Sequence, residues 1–157
     1  MQIRRARATD AAAVNELLQQ LGYPQEGFAT TASRIRTWDD DPSSAAYVAD
    51  ADGNVLGLVA VHVCPFFERA GSWGRIVALV VSEQARCQGV GGQLVAAAQS
   101  FAARRGCVRM EVTSAVRRQD AHEFYRRCGY IDQTGRSSRF LRDLDEADRL
   151  EDGRRQA

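Results

Sequence analysis

The stretch Arg75-Ile76-Val77-Ala78-Leu79-Val80-Val81-Ser82-Glu83-Gln84-Ala85-Arg86-Cys87-Gln88-Gly89-Val90-Gly91-Gly92-Gln93-Leu94 decides how this chain is read. Residues 75–81 are strongly apolar and carry the β-branched content of a buried strand. Ser82–Gln88 is a polar turn. From Gly89 to Arg105 the apolar residues Val90, Leu94, Ala98 and Phe101 recur at helical spacing. Glycines let main-chain N–H groups approach a phosphate closely, and a helix N-terminus carries about half a positive charge. Arg86 can add two parallel hydrogen bonds to a phosphate. The strand–turn–helix therefore predicts an anion site of pyrophosphate size at the head of the helix.

Outward from this centre, the remaining elements are spaced for an α/β fold. On the N-terminal side, Gln2–Arg7 suits an edge strand. Thr9-Asp10 suits a helix start, followed by Val14, Leu17, Leu18 and Leu21 at helical spacing and stopped by Gly22 and Pro24. A second helix is predicted over Phe28–Trp38, ending at Asp39-Asp40-Asp41-Pro42. Ala45–Asp50 and Val55–Val63 read as a hairpin around Asp52-Gly53-Asn54. Pro65–Gly74 is a loop. On the C-terminal side, Cys107–Thr113 alternates as a strand, and Asp120-Ala121-His122-Glu123 resembles a capping box. That helix ends at Cys128-Gly129, and Tyr130–Leu144 is expected to form a final strand or hairpin. The order β-α-α-β-β-β-α-β-α-β implies a mixed sheet, because a hairpin precedes strand–helix–strand units.

A length of 157 residues leaves room for one domain, at roughly 100–200 residues each. We expect that domain over 1–144, with a charged tail at 145–157. Hydrophobic residues make up 45% and charged residues 26%, which is globular composition. The net charge of +1 provides no case for a nucleic-acid or membrane partner. All 21 basic residues are Arg, so a lysine-bearing phosphate loop and Schiff-base chemistry are excluded. His62 and His122 are the only histidines, and Cys64, Cys87, Cys107 and Cys128 form no C-x-x-C pair, so no metal site is expected. Isolated thiols and the lack of an apolar leader point to a soluble, cytoplasmic chain.

A second family of anion loop can be set aside. A dinucleotide site would follow the first strand as G-x-G-x-x-G, whereas the glycines here stand at 89, 91 and 92, beyond the middle of the chain. The arrangement Arg86-x-x-Gly89-x-Gly91 after an apolar strand instead resembles motif A of the GNAT superfamily of N-acetyltransferases. The strand Met110-Glu111-Val112, followed by Ala121-His122-Glu123-Phe124-Tyr125-Arg126-Arg127-Cys128-Gly129-Tyr130, resembles that family's motif B.

The resemblance implies the GNAT fold, with a mixed, mostly antiparallel central sheet flanked by helices. It implies that acetyl-CoA, as cosubstrate, lies between splayed strands 75–81 and 107–113. The pantetheine would bond the backbone of Leu79, Val80 and Val81. The pyrophosphate would rest on the amides of Arg86, Cys87, Gln88, Gly89, Val90 and Gly91, with Gly92 beside them. An N–H near Val80 or Val81 would face the thioester carbonyl, and Tyr125 would protonate the departing thiolate. Arg118 stands at the motif B asparagine position and is a further coenzyme-binding candidate. The resemblance also implies a homodimer and a primary amine of a small molecule or peptide as acceptor.

The pattern departs from the family at one point of chemistry. Many members carry a basic carboxylate on the 75–81 strand, where this chain has Val77 and Ala78. Glu111, Glu83, His62 and a water chain all remain candidates for the base. An acyl-CoA-binding regulatory module without turnover stays open for the same reason. Phe66, Phe67 and Trp73 are candidates for lining an acceptor pocket, and Asp39–Asp41 could attract a cationic amine.

Overall fold

The computed structural model describes residues 1–144; the tail expected at 145–157 lies outside the described residues. The chain divides into two compact units, residues 1–121 and the part from His122 onward.

The first unit holds β1 (Gln2–Arg5), α1 (Ala11–Leu21), α2 (Phe28–Asp40), β2 (Ser44–Ala51), β3 (Asn54–Pro65), β4 (Ser72–Val81), α3 (Val90–Arg104) and β5 (Cys107–Val112). The sheet order is β1-β2-β3-β4-β5, antiparallel throughout except for the parallel β4–β5 pair. The parallel pair follows from the α3 crossover, which a tight turn could not replace. The hairpin turn expected at residues 52–54 forms with Asp52 and Gly53 both at positive φ, 52° and 87°, which matches the twist of the two strands it joins.

Period-2 alternation sends side chains to two helical layers. Val48, Leu58 and Val80 are in register and pack with Val14 and Leu17 of α1 and Ile35 of α2. From α3, Leu94, Val95, Ala98, Phe101 and Ala102 are buried. That helix lies close on the sheet at Gly57, a strand position that lacks a side chain. A methyl added to Gly57 would come within 2.9 Å of both Leu94 Cδ1 and the Val80 carbonyl oxygen.

The start of α1 is built differently from the expected Thr9-Asp10 cap. Ala8–Asp10 is a 3₁₀ turn, and Asp10 accepts the Arg7 N–H at 2.7 Å and two Arg4 guanidinium bonds at 2.8 and 2.9 Å. Arg4 also reaches Asp50 at 2.7 Å, so one guanidinium links β1, the first turn and β2. These bonds, with that from Arg4 foremost, hold the Asp10 carboxyl below its usual range.

The second unit takes up most of α4 (Gln119–Arg127), which crosses the boundary, and the chain after it. The strand expected over Tyr130–Leu144 is not formed. Asp132 Oδ1 accepts the Thr134 N–H at 2.9 Å and the Thr134 hydroxyl at 2.6 Å, while Oδ2 pairs with Arg126 at 2.8 Å. These local side-chain bonds, followed by Gly135 at φ 84°, turn the chain where a ladder would have to start.

Candidate acyl-transfer site

The central feature is a parting of strands. The β4–β5 register runs from Ser72–Cys107 to Ile76–Val112 and stops there, while β4 continues to Val81. The cause lies on the other side of β4. Against β3, Ala60 pairs with Ala78 but Val61 pairs with Ile76, so Val77 is a bulge residue. A bulge bends its strand and increases the local twist, which turns residues 77–81 away from β5.

The register also decides which main-chain groups face that opening. Ser82 donates to the Leu56 carbonyl at 2.8 Å, which makes Leu56–Ser82 a hydrogen-bonded pair. Alternation then turns the main chain of Val80 and Ala78 toward β3, and that of Leu79 and Val81 outward. Of the three expected backbone partners, Val80 is thus committed to the sheet and its side chain is buried in the core. Leu79 and Val81 present N–H and C=O at the free edge. The outward Val81 carbonyl already accepts Arg86 Nε at 3.4 Å.

Directly after β4 comes a 3₁₀ turn, Glu83–Ala85, and then the glycine loop. Cys87 and Gly89 both have positive φ, 61° and 79°. Gly89 is the N-cap of α3, and the first bond back into the helix is Gln93 N–H to the Gly89 carbonyl at 3.2 Å. The N–H groups of Val90, Gly91 and Gly92 therefore have no partner within the helix. A methyl on Gly89 or Gly92 would meet nothing within 4 Å, so the loop opens outward as a cradle for an anion should. Arg86, Cys87, Gln88 and Gly89 are exposed, and among the described residues Arg86 has only Glu83 as an ionic partner, at 4.0 Å. The donor set and its open front fit a diphosphate. Arg118 is exposed in the segment before α4.

A cavity of about 390 Å³ lies in the first unit, lined by α2, β2, β3 and β4. Its walls include Trp38, Asp41, Ser44, His62, Arg75 and the bulge residue Val77. Trp73 also lines it, but the other loop aromatics do not: Phe67 is fully exposed, and Phe66 lies under Arg69 at 4.2 Å. Asp41 accepts the Ser43 N–H at 2.9 Å and the Ser44 hydroxyl at 2.7 Å, which hold its carboxyl below the ordinary range. The Ser44 oxygen also lies 2.9 Å from His62 Nδ1. Arg75 is held by Thr113 at 3.3 Å and Glu111 at 3.8 Å.

Among the candidate bases, Glu111 is thus engaged with Arg75 and Glu83 with Arg86, whereas His62 faces the cavity. Sequence reasoning missed Ser44. It stands 18 residues from His62 and meets it only through the β2–β3 register. It also missed Ser114, just beyond β5, whose buried hydroxyl has no hydrogen-bond partner among the described residues.

In the second unit, Tyr125 stacks edge-to-face with Phe124 at 5.3 Å and with Tyr130 at 5.8 Å. No group of His, Cys, Asp and Glu able to hold a metal ion occurs among the described residues, and no described helix is long and apolar enough to cross a membrane.

Comparison with known proteins gives these features a family. The sequence model of the acetyltransferase (GNAT) family matches residues 12–130. An aminoalkylphosphonate N-acetyltransferase of Salmonella typhimurium is 36% identical over 90 residues, which span 57% of this chain and 58% of that enzyme. Glucosamine-6-phosphate N-acetyltransferase from Arabidopsis thaliana superposes with a TM-score of 0.78 at 20% identity, covering 90% of this chain and 98% of the other. An aminoglycoside N-acetyltransferase solved in complex with CoA superposes with a TM-score of 0.76 at 18% identity, covering 92% and 100%. At such identities the two superpositions establish the fold. The family model, which takes in both motifs and the parted strands, establishes more: this chain belongs to the GNAT acetyltransferase family.

Proposed function

We propose that this protein transfers the acetyl group of acetyl-CoA to the primary amine of a small molecule, by direct attack of the amine in a ternary complex. The observation that carries this reading is the free edge of β4 at 77–81 running straight into the glycine head of α3. A pantetheine arm and a diphosphate need those two features, in that order along the chain.

In this reading the outward groups of Leu79 and Val81 receive the amides of the pantetheine arm. The N–H groups from Arg86 to Gly92, with the Arg86 guanidinium, receive the diphosphate. The Val81 N–H faces the oxyanion that forms when the amine adds to the thioester, a kind of donor whose loss costs about 10²–10³ in rate. Tyr125 is assigned as the acid for the leaving thiolate, and Arg118 as a coenzyme contact, from their places in motif B. The thiol is a fair leaving group at a pKa near 8.5, so a phenol with a pKa of about 10 can supply its proton late. No covalent enzyme intermediate is required.

The acceptor class we favour is a small aminoalkyl acid. Asp41 and Arg75 put opposite charges on the wall of one cavity, suited to an amine at one end and an acid at the other. The Salmonella relative acts, by its name, on aminoalkylphosphonates. Thiol release measured with a panel of amines tests both levels of the proposal. Turnover is expected with aminoalkyl acids above neutral amines and polyamines. Binding of acetyl-CoA without thiol release from any amine would leave a coenzyme-binding module instead.

A further inference from the structure

We propose that His62 is the general base of the transfer, held ready by Ser44 and Asp41. The proposal rests on the acetyltransferase reading above and supplies the proton acceptor that β4 lacks at Val77 and Ala78.

The hydrogen bonds fix where the protons are. The Asp41 carboxylate accepts from the Ser43 N–H and from the Ser44 hydroxyl. A hydroxyl has one hydrogen, and that of Ser44 is committed to Asp41. At 2.9 Å from His62 Nδ1, the Ser44 oxygen can therefore only accept. Nδ1 must carry the ring proton, which leaves the lone pair of the neutral imidazole on Nε2. When Nε2 takes a proton, the Nδ1–H bond to Ser44 stays as it was. The carboxylate oxygen of Asp41, 4.0 Å from Nδ1, then faces the new positive charge. Proton uptake requires no rearrangement of the trio.

The placement suits the role. The His62 side chain is 46% exposed and lines the cavity. Val77, where the free edge of β4 begins, lines the same cavity. Arg75, paired with His62 across the β3–β4 register, and Cys64 on β3 line the same cavity. Glu111 of β5 offsets part of the Arg75 charge, and Arg105, past the end of α3, acts on Asp41 at longer range.

The acceptor ammonium gives one proton to His62 Nε2. The freed amine attacks the thioester carbonyl, the C–N bond forms and the C–S bond breaks. The second proton lost from nitrogen ends on the coenzyme sulfur, and His62 passes its own to solvent. The products are the amide, the thiol and one released proton.

Imidazole nitrogen NMR of the wild-type protein tests the proton arrangement without activity, and is simplified by there being only two histidines. The neutral His62 ring should be the Nδ1–H tautomer, and Ser44→Ala should convert it to the Nε2–H form. His62→Gln should lower kcat/KM by about 10²-fold or more near neutral pH. The deficit should narrow as pH rises and the amine deprotonates unaided, with acetyl-CoA affinity at the wild-type value. An Nε2–H tautomer in the wild type, or an unchanged rate and acidic limb in His62→Gln, overturns the base assignment alone. A wild type that binds acetyl-CoA yet releases no thiol with any amine overturns the transferase reading, and the base role with it.

Discussion

Cys87 holds a left-handed backbone, φ 61°, without being glycine, between Arg86 and the exposed Gln88. That conformation costs roughly 1–2 kcal/mol and is kept where the surroundings impose it. Here it turns the loop so that the first N–H groups of α3 stay open. Its thiol is exposed, while Cys64, Cys107 and Cys128 are partly covered, and burial raises the thiol pKa of Cys107 and Cys128. Alkylation of Cys87 by iodoacetamide should therefore be the fastest of the four and should slow when acetyl-CoA is added; equal rates with and without it would remove this loop from the coenzyme site. The adjacent Gly89→Asp would place a carboxylate at the head of the helix, and isothermal titration should then detect no acetyl-CoA binding. For Tyr125, whose role comes from its motif position, Tyr125→Phe should reduce kcat and leave coenzyme affinity unaltered. These loop and motif residues were legible in the sequence because glycine, arginine and tyrosine at fixed spacing are local signals. Ser44 and Arg75 were not, since a serine or an arginine in a strand has no meaning until its neighbours across the sheet are known.

At the scale of elements, the close seat of α3 on the sheet depends on Gly57. A Cβ there would press on the Val80 carbonyl oxygen, which as backbone in a central strand cannot move aside. Gly57→Ala should lower stability by about 1–3 kcal/mol in denaturant titrations, as overpacking does. Helix and strand positions were readable from periodicity, and the helices α1, α2 and α3 fall close to their expected bounds. Two readings failed for one reason. Asp10 and Asp132 each spend their carboxylate on local N–H and Arg partners, which remakes the start of α1 and replaces a strand after Tyr130. Periodicity contains no information about where a side-chain oxygen will find its donors. The bulge at Val77 is the same kind of case: an extra residue in one strand is visible only against its partner.

For the molecule as a whole, the carboxylates set the response to acid. Asp10, Asp41 and Asp50 are held below their usual range mainly by hydrogen bonds from Arg4 or Ser44, and Asp132 is held down to about 2, chiefly by Thr134. A carboxylate with a depressed native pKa stabilises the fold above its unfolded pKa and loses that contribution as pH falls through the native value. Thermal stability should therefore be flat above about pH 5 and fall steadily toward pH 2. Arg4→Ala should shift the curve down by about 3 kcal/mol near neutrality, because it leaves the 8% exposed Asp10 carboxylate without its cation. An acid profile unaffected by that substitution would mean the Arg4 network contributes nothing to the fold. Removing 145–157 should leave turnover and coenzyme affinity as they are, if the working domain is 1–144 as the sequence suggests. By itself the sequence determined the α/β architecture, the family and the glycine loop at the head of α3, because chain-local spacing encodes periodicity, glycine turns and helix starts. Only the tertiary structure decided that Leu79 and Val81, rather than Val80, face the opening, and that Ser44 and Asp41 meet His62. Both are matters of register, which is set by pairing between segments distant along the chain and is written in neither strand alone.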